Sequence, residues 1–268
     1  MIGKIGIIGA GNMGTAIVRG LVAATLVPAD DITAFDIDET KLRGLATDPG
    51  VKAAPDLAAL AGGCDTIIIA VKPQSMTELL RDLARHVSGS HLVISIAAGI
   101  STVFLEQRLP PHTRVVRVMP NTPAMVRTGA TALCRGSQAT AEDMALATRL
   151  FCALGTTVTV REELMDAVTA LSGSGPAYFF YLAEKLRDAA VAHGLPEKEA
   201  DELVRQTLFG AGKLLRETHA TPEELRGRVT SKGGTTAAAV AVFDEADLSG
   251  IVSRAIAAAV ARSKELGM

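Results

Sequence analysis

Residues 4–22 read KIGIIGAGNMGTAIVRGLV, and this stretch decides the fold of the first half. Ile5, Ile7 and Ile8 make a short β-rich run, glycines fall at 9, 11 and 14, and apolar residues then recur at helical spacing. A strand, a tight turn and a helix follow from that order. In this setting Gly9-x-Gly11-x-x-Gly14 is the pattern of a dinucleotide-binding turn. One glycine makes the turn, one lets backbone approach a pyrophosphate, and one lets helix and strand pack closely. The first N–H groups of the helix then face the phosphates. Gly9, Ala10, Gly11, Asn12, Met13 and Gly14 are accordingly assigned to cofactor binding.

The pattern continues outward. DITAFDID predicts a second strand ending in Asp36, 22 residues after Gly14, where a carboxylate can hold ribose hydroxyls. DTIIIAVKP (65–73) is a continuous apolar run, as expected of a strand buried on both faces of a parallel sheet. HLVISIAAGI and TRVVRVMPNTP repeat the theme with helical stretches between, and GATALCRG and GTTVTV add strands around a helix near 140–153. Alternating strands and helices imply an α/β, Rossmann-type, doubly wound sheet. Its strand-end loops, with Ala70, Val71 and Lys72, Ala98, and Met119, Pro120 and Asn121, are expected to converge on the cofactor.

From about residue 161 the strand signals stop and helical patterning takes over, with Gly194 as a C-cap and Thr221-x-x-Glu224 at capping-box spacing. The expected division is 1–160 for the dinucleotide-binding domain and 161–268 for an all-α domain, to which the resemblance given below adds substrate binding and oligomerisation. Ala-rich helices of this kind pack against others, in a bundle or a partner subunit. Two segments interrupt the helices. LSGSGPAYFFYLAEKL (171–186) reads as one helix ending at Leu171 and another starting at Ala177, with Pro176 in its first turn. VTSKGGTTAAAV (229–240) places Gly233, Gly234 and Thr235 at a helix start, an anion site in form, with Ser231, Thr235 and Thr236 as hydroxyl donors. Standing alone, that loop reads as an ordinary N-cap.

Composition excludes other classes. The 268 residues carry a net charge of −2 with no basic run, and aromatics are 3% with no Trp, so a nucleic-acid partner is not expected. Cys64, Cys134 and Cys152 form no CxxC, and five scattered histidines make no metal cluster. No apolar run is long enough for a bilayer, and the N-terminus lacks the pattern of a signal peptide, so a cytoplasmic protein without a metal is expected.

IGAGNMG, AVKPQ, VMPNTP, SGSGPAY and TSKGGTT, in that order, resemble the pyrroline-5-carboxylate reductase family along almost the whole chain. The last two are the specific motifs; the first is shared with many dehydrogenases. The resemblance implies reduction of the cyclic imine 1-pyrroline-5-carboxylate to L-proline by NAD(P)H, the final step of proline biosynthesis. It also implies a Rossmann domain followed by a helical dimerisation domain, in homodimers or larger rings of dimers. It places the substrate carboxylate on Ser231 and the amides of Gly234 and Thr235, beside Gly233, and the Thr236 hydroxyl on the imine nitrogen. It also makes SGSGPAY a junction close to nicotinamide and substrate. Two departures stand out. Lys232 occupies a position where the family more often has proline, and Asp36-Ile37-Asp38 replaces the small polar residue and Arg that bind a 2′-phosphate in many bacterial members. The second departure leans toward NADH. A β-hydroxyacid-type dehydrogenase would need a lysine where Phe179 stands, four residues past Gly175. A nicotinamide-sensing regulator without turnover would leave TSKGGTT unexplained.

Overall fold

The apolar runs become the middle of one sheet in the computed structural model, which describes residues 2–267. Its strands are β1 (Ile5–Ile8), β2 (Ile32–Phe35), β3 (Lys52–Ala53), β4 (Thr66–Ile69), β5 (Leu92–Ser95), β6 (Arg114–Met119), β7 (Gly129–Arg135) and β8 (Gly155–Thr159). They lie in the order β3-β2-β1-β4-β5-β6-β7-β8, parallel throughout except for the antiparallel β6–β7 pair. The order reverses between β1 and β4, so the crevice outside their carboxyl ends is the place where such sheets bind ligands.

β1, β4 and β5 are buried at every position because helices cover both faces. The register sets Ile7 beside Ile68, Ile68 beside Ile94 and Ile94 beside Val116, one apolar row across the sheet. That row packs with Ile17, Leu21 and Phe151 on one face. Ile8, Ile67, Ile69, Val93 and Val115 pack with Leu60 and Leu80 on the other. Each such side chain contributes about 1.5–3 kcal/mol by burial, and Ile68→Ala would cost about 2–5 kcal/mol.

The helices between strands are α1 (Asn12–Ala23), α2 (Glu39–Thr47), α3 (Leu57–Gly62), α4 (Met76–Leu83), α5 (Thr102–Glu106), α6 (Ala141–Cys152) and α7 (Met165–Val168). Beyond α7 the backbone differs from the expected break at Leu171. It continues as a π-helical turn, Thr169–Gly173, closed by the Ser174 N–H donating to the Thr169 carbonyl at 2.8 Å. Helix α8 (Gly175–Ala192) follows, then α9 (Glu197–Glu217), α10 (Pro222–Arg228), α11 (Thr235–Glu245) and α12 (Leu248–Leu266).

The described residues form two compact units: the chain up to Ser174 together with residues from Ala258 on, and Gly175–Ala257 between them. In the first, the last turn of α12 lies against the loop after β5. A Cβ on Gly99 would stand 2.7 Å from the Ser263 carbonyl, and the Ser263 hydroxyl donates to Asp166 at 2.7 Å. In the second, only Gly175 and Ala200 are buried among the described residues. Phe179, Phe180, Tyr181, Leu203 and Phe209 are each more than half exposed. No helix among the described residues is long and apolar enough to cross a membrane.

Candidate active site

The three glycines of the turn between β1 and α1 differ in what a side chain there would meet. Gly9 has φ +108°, where a side chain is strained, and a Cβ there would meet the Ala70 carbonyl at 2.6 Å. A Cβ on Gly14 would overlap the Gly9 carbonyl, so the third glycine lets the helix close on the turn. A Cβ on Gly11 would meet nothing within 4 Å. Nothing in the protein requires a glycine at 11, and the space above it is a cradle that a methyl group would fill.

Below that cradle α1 begins without a side-chain cap and without an acid in its first turn. The N–H groups of Asn12, Met13 and Gly14 therefore lack the partners that helix starts normally recruit. Elsewhere the chain supplies them. Asp38 caps α2, Thr140 and Asp143 form a capping box on α6, and Thr221 and Glu224 do so on α10. The bare start of α1 under an open Gly11 suits the pyrophosphate of a dinucleotide.

Asp36 is the first residue past β2. Its Oδ2 accepts from the Ala10 N–H at 2.6 Å, and its Oδ1 accepts from the Asp38 N–H at 2.8 Å. The carboxylate thus ties the glycine turn to the second strand and keeps lone pairs for ribose hydroxyls. The Ala10 amide is engaged by this bond and its carbonyl accepts from the Thr15 hydroxyl at 3.2 Å, so Ala10 offers a ligand its methyl group rather than its N–H. Ala70, Val71 and Lys72 follow β4, Ala98 follows β5, and Met119, Pro120 and Asn121 end β6, all at the same carboxyl edge.

One cleft adjoins the turn and a second lies past the end of β2. The first, of about 520 Å³, runs along α1 past Gly11, Asn12 and Thr15 to Arg19, Lys41 and Arg127. The other, of about 480 Å³, lies beside the end of β2 between Asp36, Ile37, Arg43 and Ala54. Lys41 pairs with Asp38 at 3.0 Å, and that bond holds the Lys41 ammonium above its usual range and the Asp38 carboxyl below its own. Arg127 stands outside the motifs read from the sequence. It sits in left-handed backbone at φ 57°, closing the turn Thr122–Val126, and no local pattern announces it.

The second glycine loop lies in the other unit. The Gly234 N–H donates to the Ser231 carbonyl at 3.0 Å, so this amide closes a turn and is not free for a carboxylate. Gly234 is the N-cap of α11, whose start has neither a side-chain cap nor a first-turn acid. Ser231, Thr235 and Thr236 are not helix caps here. The amides of Thr235 and Thr236 and those three hydroxyls remain as donors around an uncapped helix start. Among the described residues no cluster of three His, Cys, Asp or Glu is placed to hold a metal.

A buried ionic group lies in the first unit. The Arg117 guanidinium, 3% exposed, donates to Glu162 at 2.6 Å and lies 3.9 Å from Asp166. Cys134 donates to the same Glu162 at 3.2 Å, and burial together with that carboxylate pushes its thiol pKa up to about 12.

Comparison with known proteins places this geometry. Residues 162–266 match the family model described as pyrroline-5-carboxylate reductase dimerisation, and residues 4–99 match that described as NADP oxidoreductase coenzyme F420-dependent. A pyrroline-5-carboxylate reductase of Methanosarcina acetivorans is 43% identical over 98% of both chains. The solved structure of a pyrroline-5-carboxylate reductase from Coxiella burnetii, 36% identical, superposes with a TM-score of 0.93 over 100% of both chains. That of Plasmodium falciparum pyrroline carboxylate reductase with NADP bound, 29% identical, gives 0.89 over 99% of this chain and 98% of that one. The chain belongs to the pyrroline-5-carboxylate reductase family.

Proposed function

We propose that this protein reduces 1-pyrroline-5-carboxylate to L-proline in the cytoplasm, with residues 1–160 binding the cofactor and 161–268 binding substrate and a second subunit. The observation that carries the reading is the pair of bare helix starts. α1 and α11 each follow a glycine loop, and each lacks both a side-chain cap and a first-turn acid. Two anions, a pyrophosphate and a carboxylate, supply what the two starts lack.

A bound reduced nicotinamide dinucleotide supplies the hydride. Gly11 and the first amides of α1 hold its pyrophosphate, with Gly9, Ala10, Asn12, Met13 and Gly14 shaping the turn. Ala70, Val71, Lys72, Ala98 and the backbone of Met119, Pro120 and Asn121 line its length. Asp36 accepts from the adenosine ribose hydroxyls, which favours NADH. Arg43 beside it and Lys41 close by soften that preference.

At the substrate, Ser231 and the Thr235 amide hold the carboxylate, with Gly233 and Gly234 giving the loop its shape. A cyclic imine is basic enough to arrive protonated. The iminium N–H donates to the Thr236 hydroxyl oxygen, and as hydride reaches carbon a lone pair forms on nitrogen into which that hydroxyl donates. No strongly tuned acid is needed, and orientation carries much of the rate. Because the second unit buries so little of its own apolar surface, a homodimer is its resting state, with rings of dimers beyond it. The deciding experiment follows NADH and NADPH oxidation with 1-pyrroline-5-carboxylate. Oxidation dependent on the imine supports the reading, and none with either cofactor removes it.

A further inference from the structure

We propose that Asn121 is a positioning residue: its side-chain amide fixes the turn Ser172–Gly173 in the active site and is not itself a ligand of the cofactor. The inference rests on the reductase reading above. Asn121 is 8% exposed, and both ends of its amide are engaged within the protein. Its Oδ1 accepts from the Ala130 N–H at 2.8 Å, and its Nδ2 donates to the Ser172 carbonyl at 3.1 Å. One partner is a donor and the other an acceptor, so the partners themselves dictate which way the amide points.

The need for that bond is written in the sequence. In a helix the Ser172 carbonyl would accept from the N–H of residue 176, four positions on. Residue 176 is proline and has no N–H. A carbonyl left unpaired beside a buried side chain is costly, and Asn121 supplies the missing donor from 51 residues away. Asn121 and Pro176 are therefore complementary parts of one device.

The neighbours on β6 hold the same segment. Arg117, Met119 and Asn121 alternate along extended backbone and so share a face. Arg117 reaches Glu162 and Asp166, and a Cβ on Gly173 would overlap the Met119 methyl group. One face of β6 thus clamps the segment 162–173 at three points. The third point, Asn121, sits where the strand ends in the cofactor-lining turn. Loosening it lets Met119–Asn121 and Ser172–Gly173 drift apart at the strand end that lines the cofactor.

The test uses the full-length enzyme with Asn121→Asp and Asn121→Ala, measuring kcat/KM relative to wild type from about pH 8 to about pH 5.5, reduced-cofactor Kd by fluorescence, and melting temperature. A carboxyl group buried here titrates above its usual range. Ionised, it accepts from Ala130 but repels the Ser172 carbonyl; protonated, it reproduces both bonds of the amide. Asn121→Asp is therefore expected to lose about tenfold in kcat/KM at the alkaline end. It should recover toward wild type as the pH falls, with cofactor Kd changed by less than about twofold. Asn121→Ala should stay low at every pH. Asn121→Asp keeps the side-chain volume, so the proposal is tested even if the alanine variant does not fold. A deficit that does not recover at low pH, or wild-type kcat/KM in Asn121→Asp at high pH, overturns the proposal. A cofactor Kd that rises as much as kcat/KM falls makes Asn121 a direct ligand and also overturns it. A wild-type enzyme without turnover removes the reductase reading itself, whereas wild-type turnover with unchanged variants removes the clamp alone.

Discussion

Replacing Gly11 and Gly14 by alanine, one at a time, separates a glycine that the fold needs from one that the ligand needs. At Gly14 the added methyl group runs into the Gly9 carbonyl, a backbone atom that moves only if the turn moves. Overpacking of that kind costs about 1–3 kcal/mol, which in a domain of this size lowers the melting temperature by roughly 2–4 °C per kcal/mol. At Gly11 the backbone has φ −71° and ψ −175°, which any residue adopts, and the methyl group meets no protein atom within 4 Å. Loss of the glycine N-cap costs about 0.5–1 kcal/mol, and the stiffer unfolded chain returns about 0.4–1 kcal/mol, so the melting temperature should hold within about 2 °C. The methyl group nevertheless stands where a pyrophosphate must approach the bare start of α1. Reduced-cofactor Kd is expected to rise at least about tenfold, equivalent to about 1.4 kcal/mol. The assay is cofactor fluorescence titration beside a melting curve for each variant. Gly11→Ala with wild-type affinity and wild-type melting would refute the argument, since the empty space over Gly11 would then not be the phosphate site.

Asp36→Ser should lower kcat/KM with NADH and raise the NADPH-to-NADH ratio, because it removes a carboxylate that repels a 2′-phosphate; a strong wild-type preference for NADPH would contradict this. Thr236→Val should lower kcat by about tenfold to a hundredfold, for about 1–3 kcal/mol of lost hydrogen bonding, with KM little changed, while Ser231→Ala should mainly raise KM. Since α11 has no side-chain cap to lose, neither change should move the melting temperature much, and a fall in melting with intact kinetics would sink both assignments. Burial and the Glu162 carboxylate push the Cys134 thiol up to about 12, so it stays protonated at pH 8. An alkylating reagent should label exposed Cys152 in the folded protein and leave Cys134 untouched until unfolding, as read by mass spectrometry. Light scattering should find a dimer or larger at assay concentration, and a fully active monomer would remove the partner subunit from the account.

Most of the sheet was legible because buried parallel strands announce themselves. IGII, TIII and LVIS need no alternation when helices cover both faces, and glycine or proline marks each strand end. The capping box of α10 was legible for a local reason, since Thr221 and Glu224 satisfy each other three residues apart. The turn at 169–173 was not. Its serines and glycines signal a break, but Asn121 and Met119 hold it helical from β6, and sequence-local signals carry no trace of partners so distant. The engaged amides of Ala10 and Gly234 were hidden for the same reason: a glycine loop shows that backbone donors exist, not which of them a carboxylate or a neighbouring carbonyl already holds.

The polar side chains at the site divide by what they serve. Asp36 ties down the Ala10 amide, Asn121 completes the turn that Pro176 leaves unpaired, and Arg117 anchors the segment beneath it. Asp36 and Asn121 hold backbone and Arg117 holds two carboxylates, and in the proposed function the backbone left bare at α1 and α11 meets the anions. A site built this way suits an imine that brings its own proton, because the chemistry asks for two fixed anion cradles and a hydroxyl rather than a tuned acid. It also explains why Gly11, where an added methyl group meets no protein atom within 4 Å, is the position where that group should separate binding from folding. Side chains then take two parts in the proposed site: Ser231, Thr236 and Asp36 meet ligand beside that bare backbone, while Asn121 and Arg117 support it.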